Sequence, residues 1–433
     1  MDFTQMRPFQ IIFLAVFGML AFVGIFMFSM YKGDTPGAVV GTVTIWGTLP
    51  ADGMSNGMRD LIARHKEYGN VKYVAKNAAT FDTDLAEAIA SGQGPDLILV
   101  SQEQLLAHTN KIDLIPFETI SERSFLDNYV PLFELYLTDT GTYGIPFVLD
   151  PLVLYFNQPM LETVGVAEAP KTWEAVTGLS ALLTKKTPDQ TVTKSLIAIG
   201  EYDNVTNARA VMSLLLLQSG TAITSSGQNG MRAALTSSAS NFGISPSESA
   251  LNFYTQFANP TKTVYSWNRS LPQSRQAFLA GDVALYPGFA SELSIIRAGN
   301  PNLDFDMAVM PQPQTAEVRM TYGLGYAFAV PKAAKNKSGA LKAALTLSHK
   351  DNAPTFARYL GMAPALRGSL KTGPNDLFAP IFYPEALIAR GWLSPAPSET
   401  DAIFGTMIRD VTTGRRSVGD ALRVADQSIE AAI

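Results

Sequence analysis

Roughly 23 consecutive residues, Phe9 to Tyr31 (FQIIFLAVFGMLAFVGIFMFSMY), carry no charge, where about 20 apolar residues suffice to cross a bilayer as a helix. Gln10 and Ser29 are the clearly polar members, and Arg7 and Lys32 flank the stretch. A secretory leader has a shorter apolar stretch, about 7–15 residues, closed by a small-x-small cleavage site. The succeeding Ser29-Met30-Tyr31-Lys32-Gly33 fits such a site poorly. A soluble helix that is apolar all round would need cover on every side. The expectation is a retained single-pass transmembrane anchor, with a cleaved leader as the alternative. Arg7 and the amino terminus oppose Lys32 and Asp34, a slight positive-inside bias that places the remainder outside the cell membrane. Gly33-Asp34-Thr35-Pro36-Gly37 reads as a linker, so residues 1–38 form an anchor-and-linker unit.

The rest of the chain is long enough for two domains, because single hydrophobic cores stop growing near about 250–300 residues. The chain has 433 residues and is 47% apolar, with a net charge of only −5, so it can bury a large core. Lys and Arg number 33 against 38 Asp and Glu, which gives a nucleic-acid partner no electrostatic footing. Cysteine is absent, which removes disulfides, thiolate chemistry, Cys-based metal sites and a lipid-bearing cysteine. The 3 histidines, His65, His108 and His349, lie far apart in sequence. No metal site and no cofactor are expected.

From Val39 onward, short apolar runs alternate with amphipathic segments, the pattern of an α/β fold. VVGTVTIW (39–46) predicts a first strand, followed by a turn-rich loop over Gly47–Gly53 and a helix from Met58 to His65. Val71–Val74 predicts a second strand. Phe81, Leu85 and Ile89 recur at helical spacing ahead of Gly92, a plausible helix stop. Leu97–Val100 predicts a buried central strand. Asp150 separates two apolar runs, and Pro151 beside it suggests a strand-end turn. Thr172 should cap a helix carrying Trp173 into the core. Val283–Tyr286 predicts a strand broken by Pro287-Gly288, so that Phe289 emerges at its carboxyl end. DMAVMP (306–311) predicts another strand, and Tyr322 precedes a further one. Ser417 should cap the last helix.

LAEAIASGQGPDLILV, YGIPFVLDPLVLYFN, PKTWEAV, QAFLAGDVALYPG and GRRSVGDALRVAD occur in this order. Together they resemble the extracellular solute-binding proteins of ABC importers, most of all the type that binds maltose and other oligosaccharides. The resemblance covers about Val39 to the carboxyl terminus. It implies a periplasmic-binding-protein-like fold of two α/β lobes with the ligand in the cleft between them, the first lobe formed by 39–149 plus 311–362 and the second by 150–310 plus 363–433. It also implies partners: a small-molecule ligand and ABC permease subunits in the membrane that holds the anchor. The retained helix departs from the cleaved or lipidated leader usual in the family.

Within that frame the expected ligand residues are Trp46, Ser101, Asp150, Tyr202, Phe289 and Tyr322. A sugar presents apolar C–H faces and a rim of hydroxyls, so aromatic platforms beside carboxylate and hydroxyl groups suit it. An amino-acid site would need a paired Arg and Asp, and none is identifiable from the sequence. An enzyme is not expected. A glycoside-acting one would need two convergent carboxylates, for which Asp150 with Glu201 or Glu292 could only be forced. No GxSxG, P-loop or HExxH pattern is present. The alternative is a tethered ligand sensor or adhesion module on the same fold, since fold does not determine function.

If Phe9–Tyr31 is a retained anchor, the mature protein should stay in the membrane fraction through a carbonate wash. Amino-terminal sequencing that finds a start near Gly33 would establish cleavage instead.

Overall fold

The computed structural model describes residues 40–227, 230–237, 243–371 and 376–433. The expected anchor lies outside them, and no described helix is long and apolar enough to cross a membrane. The first strand, β1 (Val43–Gly47), alternates buried and half-buried residues, with Val43 and Ile45 inward. It pairs in parallel with β2 (Val71–Ala75) and with β3 (Leu97–Ser101). All of β3 is buried, as an apolar run between two neighbours requires. Beyond these come β4 (Ile145–Asn157), β5 (Val192–Ile197), β6 (Val283–Phe289), β7 (Phe305–Ala308) and β8 (Thr321–Ala329). They join one mixed sheet in the order β2-β1-β3-β8-β4-β6-β5, with Lys185–Lys186 at the far edge and β7 pairing with β4.

The helices that matter for the site are α1 (Ala51–Arg64), α2 (Phe81–Ala90), α3 (Gln102–Leu105), α4 (Ala208–Gln218), α5 (Ala353–Leu360), α6 (Pro397–Thr412) and α7 (Val418–Ala431). Several ends agree with the sequence. Gly92 takes the left-handed φ of 69° just past α2, and Ser417 accepts a hydrogen bond from the Asp420 amide at the start of α7. Thr172 caps a short helix, Trp173–Gly178, whose tryptophan is buried with its indole N–H donating to Gln218 at 2.8 Å.

β4 organises the whole. Phe147 and Val148 pack into one core with Val43, Leu99 and Phe356, whereas Leu152 and Leu154 pack into another with Ile197, Leu214 and Phe404. Leu149, Val153 and Tyr155 belong to a third cluster that takes in Ile98 of β3 and Tyr286 of β6. Asp150 therefore stands inside one continuous thirteen-residue strand, not at the turn that Pro151 suggested. β8 makes a similar passage, with Tyr322 in the second core and Phe328 in the first.

Four further expectations need correction. Helix α1 begins at Ala51, inside the region expected to be loop, because its glycines serve contact instead of turning: Gly53, Met54, Gly57, Met58 and Leu61 form its buried face. β6 runs through Pro287-Gly288 to Phe289. Its pairing with β5 extends only to Leu285, so Pro287 sits where the strand has lost one neighbour and a missing N–H is tolerated. β7 ends at Ala308, ahead of the expected Pro311. Tyr322 lies within β8 and does not precede it.

The contact of α1 with α5 supplies a test. A Cβ on Gly57 would lie 2.3 Å from the ring of Phe356, a buried side chain. Gly57→Ala should therefore destabilise the chain by about 1–3 kcal/mol through overpacking, net of a helix-propensity gain near ~1 kcal/mol. Urea unfolding measures it, and an unchanged or raised midpoint would show that the ring has room to move.

Candidate functional site

A cavity of ≈ 460 Å³ is bounded by α3, α4, α6, β8 and the ends of β6 and the 202–207 loop. Glu103 of α3 lines it, as do Tyr202, Asn207, Arg209, Phe289 and Asp401. Tyr322 of β8 also reaches it.

Phe289 is held by its backbone from two directions. Its amide donates to the Glu292 carboxylate at 3.0 Å, and its carbonyl accepts the Tyr155 hydroxyl at 2.9 Å. Glu292 is itself fixed by the Tyr286 hydroxyl at 2.6 Å and the Asn207 amide at 2.7 Å. The half-buried ring is thus presented to the cavity on a rigid support. Tyr202 is positioned by its hydroxyl, which donates to Asp401 at 2.6 Å. Room for its ring comes from Gly405 of α6, where a Cβ would lie 3.0 Å from the ring edge.

Gln102 is fully buried and locks α3 onto β8 by donating to the Gly323 carbonyl at 2.9 Å and accepting the Gly325 amide at 2.8 Å. That places the next residue, Glu103, against the Arg209 guanidinium and the Tyr322 hydroxyl, both of which donate to its carboxylate. Arg209 also donates to the Pro397 carbonyl at 3.0 Å and approaches Asp401 at 3.9 Å. Burial pulls the Arg209 pKa down, but the negative charge of Glu103, with Tyr322 and Asp401 behind it, more than offsets this and holds it above its ordinary value.

The layered α/β architecture is shared with proteins of known structure. Residues 51–347 match the sequence pattern of the bacterial extracellular solute-binding proteins. The chain belongs to that family. This solute-binding protein has the two-lobed fold of a cyclo/maltodextrin-binding protein complexed with maltotetraose, with a TM-score of 0.72 at 15% identity over 92% of this chain and 98% of the other. The cyclic alpha-maltosyl-1,6-maltose binding protein of Arthrobacter globiformis superposes with a TM-score of 0.71 at 18% identity, covering 90% and 98% of the two chains. An ABC transporter solute-binding protein of Thermotoga lettingae, bound with alpha-D-tagatose, gives 0.67 at 20% identity over 90% and 99%. No curated protein is matched by the chain.

Of the six ligand residues expected from the solute-binding protein's sequence, the cavity brings together Tyr202, Phe289 and Tyr322. Trp46, Ser101 and Asp150 are not among its lining residues. Trp46, near the end of β1, has the Lys76 ammonium 3.6 Å above its ring. Ser101 is buried at the end of β3, with its amide and hydroxyl both directed at Gln104. Asp150 is buried, and its oxygens accept the Ser291 amide at 3.0 Å and the Ser291 hydroxyl at 2.6 Å. Sequence reasoning missed Glu103, Arg209 and Asp401. The one available signal is Arg209 itself, the single charge in the mostly apolar helix ARAVMSLLLLQ.

Two buried carboxyls give the solute-binding protein a definite pH response. Burial pushes Asp150 up to about 7 against the Ser291 bonds that favour its ionised form, with Glu292 adding repulsion. Burial likewise pushes Glu385 up to about 7, opposed by the Met310 amide and by Arg319. In the folded chain both groups bind protons at a pH where the unfolded chain has released them. Their stabilising effect is therefore complete near pH ~4 and is lost as pH rises through ~7. Asp150→Asn, which resembles the protonated acid, should flatten part of that slope, on the order of 1–2 kcal/mol between pH ~5 and ~7. Urea midpoints across that range check it; a slope identical to the parent's would mean that Asp150 titrates normally.

Proposed function

We propose that this chain captures a neutral carbohydrate in the cavity between its lobes and delivers it to an ABC permease. Phe9–Tyr31 tethers it on the extracytoplasmic side of the membrane. The first lobe comprises 39–149 plus 311–362 and the second 150–310 plus 363–433, with the crossing strands β4 and β8 between them.

The observation that carries the reading is the pairing of a rigidly presented ring, Phe289, with hydrogen-bonding groups on both walls. A pyranose offers a C–H face to such a ring and equatorial hydroxyls to the groups around it. Arg209 is already engaged by Glu103 and the Pro397 carbonyl, so its charge is not left free for an anionic solute. Tyr202 and Tyr322 complete the aromatic lining, and Asn207 and Asp401 add further polar atoms. The relatives in complex with maltotetraose and tagatose support the carbohydrate class. In this arrangement Asp150 acts on the ligand only indirectly, by fixing the Ser291 turn just after Phe289.

Native mass spectrometry of the fragment from Gly37 onward should detect a co-purified neutral sugar, or one taken up from a panel of maltodextrins and monosaccharides. Phe289→Ala should weaken that binding about tenfold, the loss of roughly 1–1.5 kcal/mol of ring contact, with little change in the melting of the unliganded fragment. Equal affinity in the two proteins would remove Phe289 from the site, and binding of only charged solutes would overturn the carbohydrate reading.

A further inference from the structure

The chain enters its first core beside a lysine-rich surface. Val40 is buried, and its carbonyl accepts the Asn336 side-chain amide at 3.0 Å, which also donates to the Thr42 carbonyl at 3.1 Å. Asn336 starts the helix Lys337–Leu347, where its side-chain oxygen accepts the Gly339 amide at 3.0 Å. A Cβ on Gly339 would lie 2.3 Å from the Val40 carbonyl oxygen, so the entering chain is pressed closely against that helix. Lys335 and Lys337 flank Asn336, Lys332 precedes them, and all three are exposed. No Asp or Glu occurs between Glu317 and Asp351. Two carboxylates meet this face: Asp113, which Lys337 approaches at 2.7 Å, and Asp96, whose oxygens accept the Thr44 and Asn336 backbone amides at 3.0 Å. Lys332 donates only to a carbonyl, that of Asn110 at 3.0 Å. The positive end of a helix favours acidic residues, yet this helix opens on Lys337 and has none in its first turn. Local preference is set aside where these charges gather, as it is where a surface serves a partner.

We propose that this face, with Lys332, Lys335 and Lys337 around the entry of β1, docks on the anionic phospholipid headgroups of the membrane that holds the anchor. The placement follows from reach and charge. Even fully extended, the chain from Lys32 to Val40 spans at most about 30 Å, so with Phe9–Tyr31 in the bilayer this face is the part of the domain tied nearest to the headgroups. Each lysine close to an anionic surface favours contact about fivefold, and the attraction fades beyond about 10 Å at 0.1 M salt. Docking fixes how the domain stands on the membrane, where a tether alone would let it swing. The inference rests on the proposed anchor for its location and not on the identity of the solute.

The absence of cysteine makes the test clean, since one introduced cysteine is the only one to label. Ser338→Cys marks this face and, in a separate chain, Gln427→Cys on α7 marks a reference position; both sites are exposed. The full chain is reconstituted into vesicles of phosphatidylcholine, with or without about one-third phosphatidylglycerol, and labelled from outside with an impermeant fluorophore. Energy transfer to acceptors on the lipid headgroups then reads how close each position lies. At 0.1 M salt the 338 label should transfer strongly in the anionic vesicles, more than the 427 label, and weakly in phosphatidylcholine alone or at 0.5 M salt. Lys332→Gln, Lys335→Gln and Lys337→Gln combined should shift the docked-to-free ratio at least tenfold toward free. Transfer from position 338 that is equal in both lipids, unmoved by the three substitutions or no greater than from position 427 overturns the docking. Flotation of the vesicles after a carbonate wash separates this from the anchor. A chain that survives the wash without charge-dependent transfer keeps the anchor and loses the docking. One stripped by the wash that still binds anionic vesicles through these lysines keeps the docking and loses the anchor.

Discussion

Burying a strand through two cores at once is the constraint on which the rest of this structure depends. All thirteen residues of Ile145–Asn157 are buried, so neither core can be assembled without fixing the other's position along the strand. A carboxylate in the middle of such a strand costs several kcal/mol unless it is bonded or protonated. Asp150 meets that demand by accepting both the amide and the hydroxyl of Ser291. The result is a polar tie between β4 and the turn after β6, at the point where the chain passes from one core to the other. Close approach at the same turn is helped by Gly361, at a left-handed φ of 68°, whose Cβ position lies 3.3 Å from the Ser291 backbone.

From that tie one wall of the cavity is built. Ser291 and Glu292 hold the turn, Glu292 holds the Phe289 amide, and Tyr155 of β4 holds the Phe289 carbonyl. The backbone that carries the ring is therefore held from both sides, and preorganisation of this kind lowers the conformational cost of association. The opposite wall is ordered by different means, through the Gln102 amide that completes two backbone hydrogen bonds of β8. Two rigid walls that meet through a few side chains form an arrangement suited to enclosing a small polar molecule.

Local patterns foretell most of the elements, and the misreadings have physical causes. Strands such as Leu97–Ser101 and helices such as Phe81–Ala90 declare themselves through apolar periodicity and stops like Gly92. Gly53 resembles a turn residue because glycine serves turns and tight helix contacts alike; only the presence of Leu360, far along the chain, distinguishes the two. Pro151 and Pro287 resemble breaks, yet a missing N–H is harmful only where a neighbouring strand needs it. Within the site, Phe289 is visible because it closes a strand at a Pro-Gly step. The pairing of Glu103 with Arg209 is not, since it spans 106 positions and exists only in the folded chain. Asp150 draws notice for its unusual setting, and that setting is the buried middle of β4, outside the cavity lining.

Hydrogen exchange with and without a saturating maltodextrin tests the central claim, that one solute is held by both lobes at this cleft. Protection should rise together in the segments around Ser101–Leu105, Tyr202–Arg209, Tyr286–Glu292 and the start of α6, with the far edges of the sheet unchanged. Protection confined to a single lobe, or none at any of these segments while the sugar is demonstrably bound, would contradict it.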